Sequence, residues 1–335
     1  LPSYKELPGA SGSESSSQYS SLVGSGGQVG DNDLMSGLLA LWHLNESSYT
    51  GAGGEVIDSS GNGAHGTGTA GLPSGEGLLS SAPTFGVTGG DQITIPAASA
   101  PGFGASTSVS LWLNANSSSD DFAQIFDKLG TDGFRLEKNG STDVLVFRLD
   151  SGGGGPSILP STVDVFTGEW VHIVAIADNG NQYIYLNGEF DNSTTYTHGS
   201  GYEESVDIRI GSIASNRDVV GQIDEVAVWN RALDPAEIRQ LYQRGANRIK
   251  YQVRSCNDPQ CSGEEWLGFN GATGSAYSEL QNCDSIDITT GLCDGSVNVG
   301  APYFDFSLFP STAMPANNRY FQYRIVIESD DEAGA

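Results

Sequence analysis

Residues 56–66 read VIDSSGNGAHG, and the last six fit G-x-G-x-x-G, the loop that cradles a dinucleotide pyrophosphate. That chemistry needs a helix beginning inside the loop, with its N-terminal N–H groups turned to the phosphates. After His65 the chain reads GTGTAG, a poor helix, so a dinucleotide is not expected. Two other readings stay open. In one, Asp58 and Asn62 bond their own backbone as side-chain turns, and the glycines supply positive φ. In the other, Asp58 and the oxygens around Asn62 bind Ca²⁺, a hard ion that wants about six to eight oxygen ligands.

The four cysteines all fall between Cys256 and Cys293. The last histidine is His198, and neither cysteine pair has the tight C-x₂-C spacing of a zinc knuckle. Pairing of neighbours, Cys256 with Cys261 and Cys283 with Cys293, is the expected disulfide pattern, which suits an oxidising compartment. The sequence holds no G-x-S-x-G elbow and no H-E-x-x-H helix. A jelly-roll glycosidase would need Glu-x-Asp-x-Glu on one strand, so that all three acids share a face, and that pattern is absent too. Alternation places Asp224 and Glu225 on opposite faces, and Glu203 and Glu204 read as a solvated loop. No enzymatic activity is expected. His43 and His172 sit inside strand patterns and read as structural. Tyr49, Tyr196 and Tyr202 lie near loops, where an aromatic face could stack on a sugar ring. Trp42, Trp112, Trp170 and Trp229 read as core, and Trp266 fits neither role clearly.

The elements that must position these residues are short strands. The chain has 335 residues, enough for two domains at roughly 150 residues each. Acidic residues number 41 against 15 basic ones, a net charge of −26 that repels nucleic acid and anionic lipid. No apolar run approaches the roughly 18 residues of a membrane helix, so no membrane insertion is expected. The opening LPSY lacks the basic and apolar segments of a signal peptide, so the chain is expected to be a mature or excised portion of an exported product.

Residues 1–36 are rich in Gly and Ser and read as a linker or arm. From Gly37, alternating runs such as SVSLWL (108–113), VLVFRL (144–149) and QYIYL (182–186) succeed one another with turn signals between them. Many such runs without intervening helices predict a sandwich or jelly roll. One helix is marked, over 233–245: Asp234 caps it, Pro235 opens it, Glu237 completes a capping box and Gly245 can end it. Two further alternating runs, 248–255 and 319–328, predict a second, smaller β-sandwich domain over 247–335.

Six stretches in order, LALWHLNE (39–46), VIDSSGNG (56–63), GEWVHIVA (168–175), YIYLNG (183–188), IRIG (208–211) and GQIDEVAVWNRAL (221–233), resemble the laminin-G-like, concanavalin A-like jelly-roll domain of bacterial secreted and cell-surface proteins. The resemblance covers residues 37–246. The remainder is similar to modules found beside such domains in large bacterial surface proteins. The resemblance implies an all-β fold of two stacked antiparallel sheets with one short C-terminal helix. It implies an extracellular setting, secreted or cell-surface attached, and recognition of a glycan or another cell-surface component by a non-catalytic adhesion module. A structural subunit or spacer of a filament, with self-association, is the alternative. A polysaccharide-acting enzyme is the third reading. In the resembling family the Asp-x-Ser-Gly-Asn loop lies near the acidic pair that is here Asp224 and Glu225. The resemblance therefore adds Asp224 to Asp58 and Asn62 as ligands of a structural Ca²⁺.

Overall fold

A computed structural model describes residues 34, 36–46, 48–78, 81–130, 133–150, 155–197, 206–212, 217–267, 277–278 and 318–329. Two compact units divide the chain, the larger being Ser36–Tyr242. Its first strands are β1 (Leu38–Trp42), β2 (Thr67–Gly68), β3 (Ser74–Glu76), β4 (Ser81–Phe85) and β5 (Ile93–Ile95). Next come β6 (Ser106–Ala115), β7 (Gln124–Leu129), β8 (Gly133–Lys138), β9 (Val144–Asp150) and β10 (Ser157–Asp164). The series ends with β11 (Trp170–Asp178), β12 (Asn181–Leu186), β13 (Glu189–Thr195), β14 (Ile208–Ile210), β15 (Gly221–Trp229) and the helix α1 (Pro235–Ala246).

The strands form two antiparallel sheets. One runs β13-β12-β11-β6-β15-β4-β3, with β1 also paired to β15; the other runs β10-β9-β8-β7-β14-β5-β2. Alternation decides which side chains meet between them. Phe134 and Leu136 of β8, Leu145, Phe147 and Leu149 of β9, and Ile208 and Ile210 of β14 point inward. They meet Val109, Leu111 and Leu113 of β6, Ile173 and Ala175 of β11, and Ile223, Val226 and Val228 of β15. The ring centroids of Phe134 and Phe147 are 4.5 Å apart.

Strands β6 and β11 are buried on both faces, because the chain around α1 covers their outer side. There the rings of Trp112 and Tyr242 stack at 5.7 Å, with His172 beside them. The capping box forms as the sequence predicts: Asp234 Oδ1 accepts from the N–H of Glu237 at 2.9 Å, and Glu237 Oε2 accepts from the N–H of Asp234 at 2.8 Å. The helix runs through Gly245 to Ala246, and β16 begins at the next residue.

The second unit contributes, among the described residues, one three-stranded sheet, β17-β16-β18, from β16 (Asn247–Cys256), β17 (Tyr277–Ser278) and β18 (Tyr320–Ser329). Cys256 and Cys261 form a disulfide just beyond β16. Cys283 and Cys293 lie outside the described residues. Trp266, unassigned from the sequence, lies between two guanidinium groups, 4.4 Å from Arg254 and 4.9 Å from Arg324.

Gly221, the first residue of β15, has φ +154°, and a Cβ there would stand 2.0 Å from the carbonyl oxygen of Asn114 on β6. Only glycine lets β15 enter the sheet so close to its neighbour. Gly221→Ala is expected to destabilise the larger unit by about 2–4 kcal/mol through crowding and backbone strain together, read as a lower urea midpoint with an unchanged slope.

Candidate functional site

The 56–66 loop is a hydrogen-bonded staple. Oδ1 of Asp58 accepts from the N–H groups of Leu41 at 3.0 Å and Ser60 at 2.9 Å. Its Oδ2 accepts from Ser60 Oγ and from the N–H of Ala64, both at 2.9 Å. Asn62 turns its amide nitrogen to the carbonyls of Leu38 and Leu39, at 3.0 and 3.1 Å. Gly61 and Gly63 take positive φ, and the chain leaves through strand β2 instead of a helix. Asp224 is committed elsewhere: Oδ2 accepts from the N–H of Leu78 at 2.8 Å and Oδ1 from that of Glu225 at 2.9 Å. The three expected calcium ligands therefore do not fit a calcium cage as they are placed. Donors of hydrogen bonds take up the acceptor positions of Asp58, and Asn62 offers a donor where a cation needs oxygen. Among the described residues, no group of three or more His, Cys, Asp or Glu side chains is arranged to hold a metal ion.

Strand alternation also fails at Asp224 and Glu225. The register of β15 against β6 shifts between Asp224 and Ala227, and Glu225 sits at φ 51°. This bulge aims the Glu225 carboxylate at His43, whose Nδ1 lies 2.9 Å from both oxygens. Burial alone would lower the pKa of His43, but Glu225, Asp224 and Glu46 outweigh it and raise the value. His172 has no such partners, and burial pushes its pKa down to about 3. Its Nε2 is 2.9 Å from Ser110 Oγ, so it serves as a neutral packing group.

The tyrosines expected near sugar-binding loops do not converge. Tyr49 is only 3 % exposed, with its hydroxyl on the carbonyl of Leu44 at 3.1 Å. Tyr196 is half-buried against the core, and Tyr202 lies outside the described residues.

A site not foreseen from the sequence lies on the outer face of the seven-stranded sheet. The register aligns Thr67, Thr94, Arg209, Asp127, Arg135, Arg148 and Ile158 in one row across all seven strands. Beside this row lie Gln124 and Glu137, themselves cross-strand partners. Arg135 bridges the two carboxylates, with Nε 2.5 Å from Asp127 Oδ2 and Nη1 3.6 Å from Glu137 Oε2. With its amide in the hydrogen-bonding orientation, Gln124 donates to Asp127 Oδ2 at 3.1 Å and accepts from Arg135 Nη1 at 3.3 Å. Arg148 pairs with Asp150 at 2.9 Å, and Arg209 with Asp207 at 3.3 Å. From the adjoining loop, Nη1 of Arg217 comes within 3.9 Å of Glu137 Oε2. Burial raises the pKa of Glu137, and Asp127 adds to this, while Arg135, Arg148 and Arg217 pull against it.

Residues 36–242 contain eight basic side chains, and four of them, Arg135, Arg148, Arg209 and Arg217, gather here. Asp127, Glu137, Asp150 and Asp207 match them in number, so the face is densely polar yet balanced in charge. Chemically it offers alternating N–H donors and carboxylate acceptors, the complement of a hydroxyl-rich ligand. The signal was present in the outward positions of GFRLEK and VLVFRLD. The pairing of β14 with β7, which completes the row, was not.

Residues 87–239 match the family model described as the concanavalin A-like lectin/glucanases superfamily, of the laminin G type. The match spans less than half of the chain, and this region is similar to laminin-G-like domains. No curated protein sequence matches the chain. Among solved structures, the binding domain of paraclostridial mosquitocidal protein 1 is similar at 14 % identity and TM-score 0.53, over 70 % of this chain and 63 % of that one. The binding domain of botulinum neurotoxin DC, solved with rat synaptotagmin II, is similar at 15 % identity and TM-score 0.53, over 66 % and 58 % of the respective chains. The same toxin domain in complex with SialylT gives 14 % identity and TM-score 0.50, over 69 % and 62 %. At these identities the likeness is one of fold, and this chain spans about three fifths of those domains. Among the described residues, no helix is long and apolar enough to cross a membrane.

The His43–Glu225 pair makes stability depend on pH. Because the folded pKa of His43 lies above its ordinary 6.5, the pair's contribution is full below 6.5 and is lost as pH rises through the folded value. Urea midpoints are expected to fall as pH rises from about 6.5 toward 9, and Glu225→Gln is expected to flatten that slope.

Proposed function

We propose that the laminin-G-like domain is a non-catalytic binding module of an extracellular protein, secreted or held at the cell surface, and that the outer face of the seven-stranded sheet receives a glycan. The observation that carries this reading is the polar row from Thr67 to Arg148, whose arginines stand beside the carboxylates of Asp127, Glu137, Asp150 and Asp207. A sugar needs that pairing, since each hydroxyl both donates and accepts. The fold is shared with the binding domains of two toxins, which supports recognition as the role. Arg135 lies between Asp127 and Glu137, so this carboxylate pair is ion-paired through a guanidinium, which favours binding over acid–base chemistry. The Cys256–Cys261 disulfide supports an oxidising, extracellular setting.

Self-association is a second reading with its own support. The edge strands β10 and β13 expose Ile158 at 55 %, Val163 at 54 % and Phe190 at 55 %. Exposed apolar groups along sheet edges invite a second copy. Sedimentation velocity over a hundredfold range, roughly 1–100 µM, is expected to show a concentration-dependent dimer, and a constant monomer would remove this reading.

The glycan reading is tested on a glycan array with the folded protein. Binding is expected, and Arg148→Ala, which removes a partly exposed donor from the row, is expected to weaken it by about tenfold without shifting the unfolding midpoint. An array with no signal from folded protein would transfer the role to a protein ligand.

A further inference from the structure

We infer that the rim of this sheet where Phe122, Arg217 and Glu137 meet is a subsite for one neutral pyranose ring, an inference that rests on the glycan-binding reading above.

Phe122 supplies a platform. It is 46 % exposed, although it is a large aromatic at the end of a fully packed sheet. Its backbone sits at φ 60°, a left-handed conformation that is unfavourable for a residue with a Cβ. A strained backbone that exposes an aromatic works against stability, so its use lies in what the ring meets. The apolar C–H face of a pyranose suits such a surface.

Glu137 supplies the polar anchor. It is 5 % exposed, and among the described residues its Oε2 has no hydrogen-bond donor. The two guanidinium nitrogens near it, on Arg135 at 3.6 Å and on Arg217 at 3.9 Å, lie beyond hydrogen-bonding distance. A buried acceptor in that state is destabilising until a donor reaches it. Oε2 is covered as the side chains stand, and Arg217, the more exposed of its two neighbours, must turn aside for a sugar hydroxyl to donate to it and accept from a guanidinium. Arg217 connects the anchor to the platform, because its guanidinium carbon lies 5.6 Å from the Phe122 ring centroid.

The subsite is held rigid before any ligand arrives. The Nζ of Lys138 donates to the carbonyls of Ser117 and Ser119, at 2.8 and 3.0 Å, and so fixes the loop that carries Phe122. The N–H of Asp120 donates to Asp218 O at 3.1 Å, and that of Asp218 to Asp120 Oδ2 at 2.9 Å. The N–H of Gln124 holds Arg217 O at 3.0 Å. Two loops far apart in sequence thus form one piece, which lowers the entropy lost on binding.

Charge selects a neutral ring. Arg135 and Arg217 already face the Glu137 carboxylate, and Asp127 lies beside them. An acidic sugar would bring a further negative charge to these carboxylates on a chain of net charge −26.

The test is calorimetric titration of the whole chain with maltohexaose, cellohexaose, mannohexaose and xylohexaose, and with sialyllactose and hexagalacturonate as acidic probes. At least one neutral probe is expected to bind. Phe122→Ala is expected to weaken it by about tenfold, and Phe122→Tyr to restore it. Glu137→Gln is expected to weaken it by about threefold or more. Phe122 is exposed, so its variants are expected to unfold within about 2 °C of the parent and to decide the matter even if Glu137→Gln does not fold. Equal affinity of parent and Phe122→Ala for a bound neutral glycan would overturn this subsite and leave the glycan reading standing. Binding confined to the acidic probes would overturn the neutral assignment. No binding to any probe by folded protein would overturn both.

Discussion

Phe134 and Leu136 on β8, and Leu145, Phe147 and Leu149 on β9, reach the core only when the residues between them face the other way. Arg135, Glu137 and Arg148 are outward for that reason alone. A slip of one residue in either strand would drive a guanidinium or a carboxylate between the sheets, where an unpaired charge costs several kcal/mol. The polar face is thus held in register by the apolar packing behind it. Thr94, Arg209, Arg135 and Arg148 of the row that crosses the seven strands are each positioned by the core residues on either side of them.

Much of the fold was legible because it is local. Period-two runs marked the strands, and Asp234, Pro235 and Glu237 marked the start of the helix through bonds within four residues. The turn chemistry of Asp58 and Asn62 was readable as one of two alternatives, and the structure uses it to tie the loop to β1. What could not be read depends on distant partners. Arg209 stands beside Asp127 because β14 pairs with β7, a register that no local pattern specifies. The bulge at Glu225 broke alternation where the strand pattern looked regular. Tyr49 looked like a loop aromatic but is buried because Gly68 lacks a side chain; a Cβ there would stand 2.4 Å from the ring.

The loops show a consistent device. Buried side chains tie separate stretches of chain together. Asp58 gathers four donors from three residues, Leu41 on β1 and Ser60 and Ala64 in its own loop. Lys138 places an ammonium on two carbonyls of the 116–122 loop, with the Phe166 ring 5.5 Å away and Asp143 Oδ1 at 3.6 Å. Carbonyls, a carboxylate and an aromatic face together surround this buried ammonium.

The distribution of basic residues reflects the same economy. In a unit with few of them, Lys128 and Lys138 are internal, where each ammonium meets backbone carbonyls. Arg231 locks the start of the helix through Glu237, and Arg239 pairs with Glu189. The remaining four arginines share one face. If solubility were the only demand on the outer surface, acidic residues alone would meet it, as they do over most of the chain. Placing paired arginines and acids on a single sheet face keeps its net charge near zero while multiplying its directional donors and acceptors. Such a surface would hold a ligand by geometry more than by long-range attraction, because oppositely charged neighbours cancel each other's field beyond a few ångströms, and its more exposed groups are Arg148, Arg209 and Arg217 rather than the buried Asp127 and Glu137. That is the physical difference between this face and the rest of a strongly acidic molecule, and it is why recognition is assigned here.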